Sequence, residues 1–117
     1  MRRRESRTTD IRSELSEALQ AGRLTEALAL YELLEKQKPS EPRWSRRKGD
    51  LLHRMGREDE AALAYERAVD LYAAGGFVAR ASATAKVMLA IDPSKSDVLA
   101  RVDPKAARKF HEELWGF

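Results

Sequence analysis

The residue types from which catalytic and metal sites are built are few and scattered in this sequence of 117 residues. Its two histidines, His53 and His111, are far apart, and neither has an acidic partner at the spacing of a catalytic motif. Cysteine is absent, which excludes a disulfide framework, a thiolate zinc site and a cysteine nucleophile. The acidic run 58–60 suits the start of a helix, where negative charge interacts well with the helix dipole. We therefore expect no enzymatic activity, no metal and no cofactor.

Arginine side chains are the more informative group. Residues 43–57 contain six basic residues and one acidic residue, Asp50. Arg46 and Arg54 each lie four positions from Asp50, a spacing that favours ion pairs on one helix face and neutralises part of the charge. The remaining arginines could bind carboxylates or phosphates. A basic face that is merely solvated is the other interpretation.

The elements that position these side chains are predicted to be helices. The sequence has 18 Ala and 14 Leu against 5 Val and 2 Ile, which favours helices and leaves little material for a sheet. Its length suits one domain or a short array. It has no apolar run of the roughly 18–20 residues that cross a membrane, and no apolar region follows the basic start as in a secretory signal. We expect an all-α protein of the cytoplasm.

Two segments 34 positions apart share residue types in one register. The paired residues are Gly22 and Gly56, Arg23 and Arg57, Glu26 and Glu60, Ala27 and Ala61, Tyr31 and Tyr65, and Glu32 and Glu66. A glycine suits the left-handed backbone that ends a helix, and an alanine lets two helices approach closely. A tyrosine one turn further on fills the space between units, and Pro39 and Pro42 separate one unit from the next. The pattern predicts stacked helical hairpins.

This period and these residues resemble the tetratricopeptide repeat, over about residues 8–93. The resemblance implies a short right-handed α-solenoid of antiparallel helical hairpins that acts as a protein-binding adaptor or scaffold. Within that family, the stretch from Arg47 to Pro93 is most similar to bacterial repeat segments attached to signalling domains. Residues 94–117 are expected to form a C-terminal capping helix, and residues 1–7 a disordered basic N-terminus.

A third unit is out of phase, because Gly76 follows Gly56 by only 20 residues. One interpretation is that residues 59–74 form a single helix that serves two hairpins. A flexible hinge at Gly75-Gly76 is the alternative. The predicted helices lie near 10–21, 24–37, 42–55, 58–74, 77–91 and 104–115. Residues 94–102 are either a short helix or a turn, and Asp103-Pro104 suits the start of the last helix, with Ala107, Phe110, His111 and Leu114 on one face.

The resemblance also implies that the first helix of each hairpin lines a concave groove. The residues mapped to that groove are Arg12, Ser16, Leu19, Gln20, Arg43, Arg46, Asp50, His53 and Arg54. The family's clamp for a terminal carboxylate uses Lys and Asn at positions where this chain has Arg46 and Asp50. That departure favours an acidic or amphipathic segment of a partner protein, bound by arginines, over a strict clamp.

Two other functions compete with the groove. A structural subunit of a larger assembly would bind through its convex face or through Trp115 and Phe117, which otherwise cap the solenoid. A nucleic-acid-binding accessory protein would combine helix 43–57 with the arginines of residues 2–7. Trp44 either packs between repeats or contacts the partner.

Overall fold

The computed structural model describes residues 3–116, and the side chains of residues 10–113. The described chain is helical throughout and contains no strand, as the composition predicts. The helices are α1 (Arg3–Gln20), α2 (Leu24–Gln37), α3 (Pro42–Arg54), α4 (Glu58–Ala74), α5 (Val78–Ile91), a 3₁₀ turn (Pro93–Lys95), α6 (Ser96–Val102) and α7 (Pro104–Trp115). Each helix packs against the next one along the chain, which is the arrangement of a repeat solenoid. None of the helices in the described part is both long and apolar enough to cross a membrane.

Helix α1 differs from its prediction at its N-terminal end. It begins at Arg3, so residues 3–7 are helical where the sequence analysis expected disorder, while Met1 and Arg2 lie outside the described residues. The physical reason is the absence of any glycine or proline before Gly22, because no residue in this stretch ends a helix.

The three hairpin turns have one geometry. Gly22, Gly56 and Gly76 adopt φ angles of 75°, 78° and 82°, in the left-handed region that glycine tolerates best. The residue after each glycine donates its backbone N–H to the carbonyl five positions earlier, at 2.8 to 2.9 Å. This is the Schellman closure of a helix end. The turn at Gly75-Gly76 therefore has the form of an ordinary hairpin turn, which fits the interpretation of a continuing repeat.

Helix α4 belongs to two hairpins. Ala27, Ala61 and Ala81 each stand five residues after a turn glycine, and all three are fully buried. Since α4 packs closely against both α3 and α5, it is the second helix of one hairpin and the first of the next. Four alanines on α4 are buried between these neighbours, which is what a helix with two packed faces requires. Pro93 follows Gly76 by the same 17 residues that separate Pro39 from Gly22.

Large aromatic side chains fill the space between hairpins. Tyr31, Tyr65 and Trp44 are all buried, and the rings of Tyr31 and Trp44 lie 6.5 Å apart. Trp44 therefore packs between repeats, one of the two roles considered for it. Gly49 is required by this packing, because a Cβ atom there would lie 2.8 Å from the ring of Tyr65. The prediction that a repeat tyrosine fills the inter-unit space is confirmed for Tyr31, which packs on Trp44 of the next hairpin, whereas Tyr65 packs on α3 within its own hairpin.

Helix α7 begins at the predicted Asp103-Pro104 pair. The Asp103 carboxylate accepts hydrogen bonds from the backbone N–H of Ala106 at 3.0 Å and from the Ser82 hydroxyl on α5 at 2.9 Å. Of the predicted face, Ala107 and Phe110 are partly buried against the core, together with Ala106. His111 is exposed, and the Leu114 side chain lies outside the described ones. Residues 94–102, for which the sequence allowed a helix or a turn, are largely helical.

Candidate binding groove

Two adjoining pockets lie along one face of α3. The first, the arginine pocket, has a volume of about 570 Å³ and is lined by Glu41, Pro42, Arg43, Arg46, Arg47, Asp50, Tyr72, Phe77 and Arg80. The second, the leucine pocket, has a volume of about 300 Å³ and is lined by Leu19, Tyr31, Arg47, Asp50, Leu51 and Arg54. The two pockets adjoin at Arg47 and Asp50, which line both, and we call them together the groove.

The sequence of α3 produces this groove by its helical periodicity. Pro42 occupies the first turn, where its missing N–H has no helical partner to lose. Trp44, Leu51 and Leu52 are buried on one side of the helix. The charged residues at positions 43, 46, 47, 50 and 54 follow the spacing of three and four that shares a face, so they line a neighbouring face that meets the buried one at Leu51.

The four arginines of the arginine pocket are not equally neutralised. Arg43 Nε lies 3.3 Å from a carboxylate oxygen of Glu41, and Arg46 Nε lies 3.7 Å from Asp50 Oδ1. Among the described residues, Arg47 and Arg80 have no carboxylate partner. Their guanidinium groups also lie over aromatic rings, as those of Arg43 and Arg46 do, with Arg47 at 5.7 Å from the Trp44 centroid and Arg80 at 5.4 Å from that of Phe77. The pocket therefore retains positive charge that no internal carboxylate offsets.

A hydrogen bond from a buried tyrosine positions the exposed acidic residue of the groove. The Tyr65 hydroxyl donates to Asp50 Oδ1 at 2.5 Å. Burial and this hydrogen bond raise the pKa of Tyr65, so its phenol stays protonated and keeps donating. Arg46 lies over the Tyr65 ring at 5.9 Å, with Nη1 3.5 Å from the Thr84 hydroxyl. Asp50 is thus anchored to α4, and Arg46 contacts both α4 and α5.

Two aromatic side chains form the far wall of the arginine pocket. Phe77, at the start of α5, is 53% exposed, which is unusual for a large apolar residue. Tyr72, near the end of α4, is partly buried beside it. The preceding Gly75 leaves room for the Phe77 ring, since a Cβ there would lie 3.1 Å from it. The pocket therefore combines exposed aromatic surface with guanidinium groups.

The structure brings together most of the residues predicted for the groove. Arg43, Arg46 and Asp50 line the arginine pocket, and Leu19 and Arg54 line the leucine pocket with Asp50. The predicted residues outside both pockets are Arg12, Ser16, Gln20 and His53.

Arg12 and His53 make other contacts. The Arg12 guanidinium lies 5.3 Å from the Trp44 centroid. The His53 Nδ1 atom lies 2.8 Å from Glu58, which is a partner across the hairpin turn that the sequence analysis did not identify. Trp115 and Phe117, the predicted docking end, lie outside the described side chains. As binding residues, all of these stay predictions.

Sequence reasoning missed Arg47, Tyr72, Phe77 and Arg80 as groove residues. The last three belong to the third hairpin, and the signal that could have found them is the shared helix α4. Helices α3 and α5 are both neighbours of α4 in consecutive hairpins, so they run in the same direction and begin at the same end. The start of α5 must then lie near the start of α3.

A different cluster of charges joins α2, α3 and α4, and we call it the Glu35 junction. Glu35 accepts a hydrogen bond from the Ser45 hydroxyl at 2.7 Å and lies 2.6 Å from Lys48 Nζ. Arg67 approaches the same carboxylate at 3.9 Å and donates to the Pro39 carbonyl at 3.2 Å. Only 13% of the Glu35 side chain is exposed. At this junction the cations are used to hold helices together.

The residues that the structure describes include no group of three or more histidine, aspartate or glutamate side chains arranged to hold a metal ion.

The family of this chain follows from a comparison with known protein families. A sequence model of the family described as tetratricopeptide repeat matches residues 14–76, which is more than half of the 117 residues. The matched segment includes α2, α3 and α4 and ends at the third turn glycine. No curated protein matches the sequence significantly. Repeats of that family generally mediate protein–protein interactions, and the family is typically non-catalytic.

Proposed function

Because this chain belongs to the tetratricopeptide repeat family, we propose that it is a non-catalytic adaptor whose groove binds an acidic or amphipathic segment of a partner protein. The observation that carries the proposal is the arginine pocket. It presents two guanidinium groups without carboxylate partners among the described residues, those of Arg47 and Arg80, beside the exposed ring of Phe77. Carboxylates bind such guanidinium groups through paired, charge-assisted hydrogen bonds.

The groove suits an apolar residue as well as an acidic one. An apolar side chain of the partner would bury surface against Phe77 and Tyr72, or against Leu19 in the leucine pocket. The Tyr65–Asp50–Arg46 contacts hold part of the groove in place before the partner arrives, which lowers the entropy lost on binding. An acidic peptide with apolar residues between its carboxylates therefore matches both components of the surface.

The contacts of the basic residues favour a protein partner over nucleic acid. Proteins that bind single strands stack bases on exposed aromatic rings set among basic residues. Of the rings near these arginines, Trp44 is 2% exposed and cannot stack on a base. Phe77 offers a single exposed ring rather than the row of rings on which successive bases stack. Arg43 and Arg57 are each paired with a glutamate, which reduces the charge offered to phosphates.

A selection from random peptides tests the proposal directly, because it does not require a named partner. A phage-displayed library is panned against the full chain, and enriched peptides are titrated by calorimetry. We expect sequences rich in Asp and Glu with interspersed apolar residues. The variant Arg47→Glu/Arg80→Glu, confirmed as folded by circular dichroism, should weaken their binding by about tenfold or more, because it reverses the charge of the groove.

A matched control separates the groove from general charge effects. Lys36→Glu/Lys38→Glu makes the same change in net charge at exposed positions at the end of α2, outside both pockets. It should change binding by less than about twofold. Enrichment of basic peptides, or equal losses in the two double variants, would overturn the proposal. Binding that depends on Leu63, an exposed residue of α4 outside the groove, would instead favour a structural subunit docked on another face.

A further inference from the structure

Residues 112–117, Glu-Glu-Leu-Trp-Gly-Phe, have the composition that the groove is expected to bind. They contain two acidic residues, three large apolar residues and no basic residue. We infer that the groove of one copy of this chain binds segment 112–117 of a second copy, so that the chain associates with itself. The inference rests on the proposed function, because it names one occupant for the same groove.

Charge complementarity is the first argument. The arginine pocket is lined by four arginines, with Glu41 and Asp50 as its acidic residues, which leaves two positive charges in excess. Segment 112–117 contributes two negative charges through Glu112 and Glu113. Both glutamates are exposed on α7 and form no ion pair with the described residues. They are therefore free to pair with Arg47 and Arg80 of a second copy.

Aromatic chemistry is the second argument. Trp115 and Phe117 stand two positions apart, directly after the glutamates and Leu114. An indole ring attracts a guanidinium group through its face and packs well against other aromatic rings. The arginine pocket offers both kinds of contact, and its volume of about 570 Å³ lies in the range of pockets that enclose a ligand of several rings. Leu19, a partly buried residue of the adjoining leucine pocket, offers an apolar contact for Leu114.

The packing of α7 favours a second copy over the same molecule. Helix α7 packs on α6, and α6 packs on α5, so α7 is separated from α3 by the order of the solenoid. For segment 112–117 to enter the groove of its own molecule, α7 would have to leave α6 and give up the hydrogen bond from Ser82 of α5 to Asp103. A second copy supplies the same segment without that loss. The contact joins unlike surfaces, so it gives either a reciprocal pair or an open chain of copies.

Sedimentation velocity over a wide range of concentrations tests this inference on the full chain. Wild type should self-associate, and so should the control Lys36→Glu/Lys38→Glu. Two variants should each weaken self-association, with a dissociation constant raised about tenfold or more. They are the groove variant Arg47→Glu/Arg80→Glu and the segment variant Glu112→Lys/Glu113→Lys. An equimolar mixture of the two variants should associate again, because each reversed surface then meets a complementary one. General destabilisation cannot produce this recovery.

The outcomes separate this inference from the proposed function. A wild type that stays monomeric at all concentrations overturns the inference, while the binding of the selected peptides is measured independently and can still hold. Association that survives both charge reversals, or a mixture that does not recover, also overturns it. Loss of association in Trp115→Ser, with its charges unchanged, would support the aromatic part of the contact.

Discussion

The groove and the Glu35 junction use the same basic residue types in opposite ways. At the junction, Lys48 and Arg67 share a carboxylate that is 13% exposed, and Ser45 completes its hydrogen bonds. In the groove, Arg47 and Arg80 lie over aromatic rings and have no carboxylate partner among the described residues. The arginine content of α3 therefore says little by itself about function.

The difference lies in what surrounds each cation. A carboxylate buried between three helices joins them and neutralises the charge of its basic partners. An arginine that rests on an aromatic face keeps its hydrogen-bond donors available to a ligand. We therefore expect changes at the junction to alter the stability of the fold, and changes in the groove to alter binding.

The largest expected effect on stability is at the junction. Glu35→Leu removes the acceptor of Ser45, which is almost fully buried, and leaves Lys48 and Arg67 without their carboxylate. The free energy of unfolding should fall by about 2 to 3 kcal/mol, since a buried donor and a half-buried ammonium lose their partner. Urea denaturation measures this change. Glu32→Leu, exposed on the same helix, is the control and should cost less than about 0.5 kcal/mol. If both variants lost the same free energy of unfolding, the Glu35 junction would have no special role in stability, and its contrast with the groove would not hold.

A smaller loss is expected at Gly49, where the core meets the groove. The added methyl group of Gly49→Ala would lie 2.8 Å from the Tyr65 ring and must displace it. Such overpacking costs about 1 to 2 kcal/mol, measured by thermal unfolding. Because Tyr65 holds Asp50, the variant should also loosen the groove and weaken peptide binding. Ala83→Ser, at an exposed position of α5, is the control. Unchanged stability would show that the close contact of Gly49 with Tyr65 is not required.

Asp50→Asn should strengthen the binding of an acidic peptide, whereas Arg47→Glu/Arg80→Glu should weaken it. The change removes one negative charge from both pockets and keeps an oxygen that accepts from the Tyr65 hydroxyl. Affinity for an acidic peptide should rise by about threefold, the size expected for one partly exposed charge. Calorimetry at low and high salt measures it, and the gain should shrink as salt rises. Weaker binding would mean that Asp50 itself contacts the peptide.

The smallest effect concerns the carboxylate that begins α7. The Ala106 N–H and the Ser82 hydroxyl hold the pKa of Asp103 below its ordinary value of 3.8. Folding therefore favours the ionised form, so the stabilisation is complete above the ordinary pKa and is lost as the pH falls through the lower folded-state pKa. Circular dichroism in acid should show α7 losing helicity in wild type. Asp103→Asn should lack this step and Asp97→Asn should keep it, whereas identical acid titrations would contradict the assignment.

Much of the fold could be predicted from the sequence, because its signals are local. The turn glycines, the buried alanines and the Asp103-Pro104 start depend on a few neighbouring residues, and the helix boundaries from α2 to α5 agree within one or two residues. The extension of α1 to Arg3 was missed because a charged stretch resembles a disordered one in composition, although it contains no helix breaker.

The groove was only partly predictable, because it depends on contacts between hairpins. Arg46 and Asp50 were assigned to the groove by the repeat register, and their spacing of four on one helix predicted the ion pair that they form. The contributions of Phe77 and Arg80 require that α4 be shared by α3 and α5, which brings residues 30 or more positions apart to one pocket. His53 was assigned to the groove by the repeat register, but Glu58 across the turn holds its ring outside both pockets.

The central claim is that the surface between α3 and the start of α5 is where a partner binds. The most direct measurement is a chemical-shift map of the labelled chain titrated with an acidic peptide from the selection. We expect the largest changes at Arg43, Arg46, Arg47, Phe77 and Arg80. Changes that centre on Leu63 and leave the α3 arginines unmoved would contradict it.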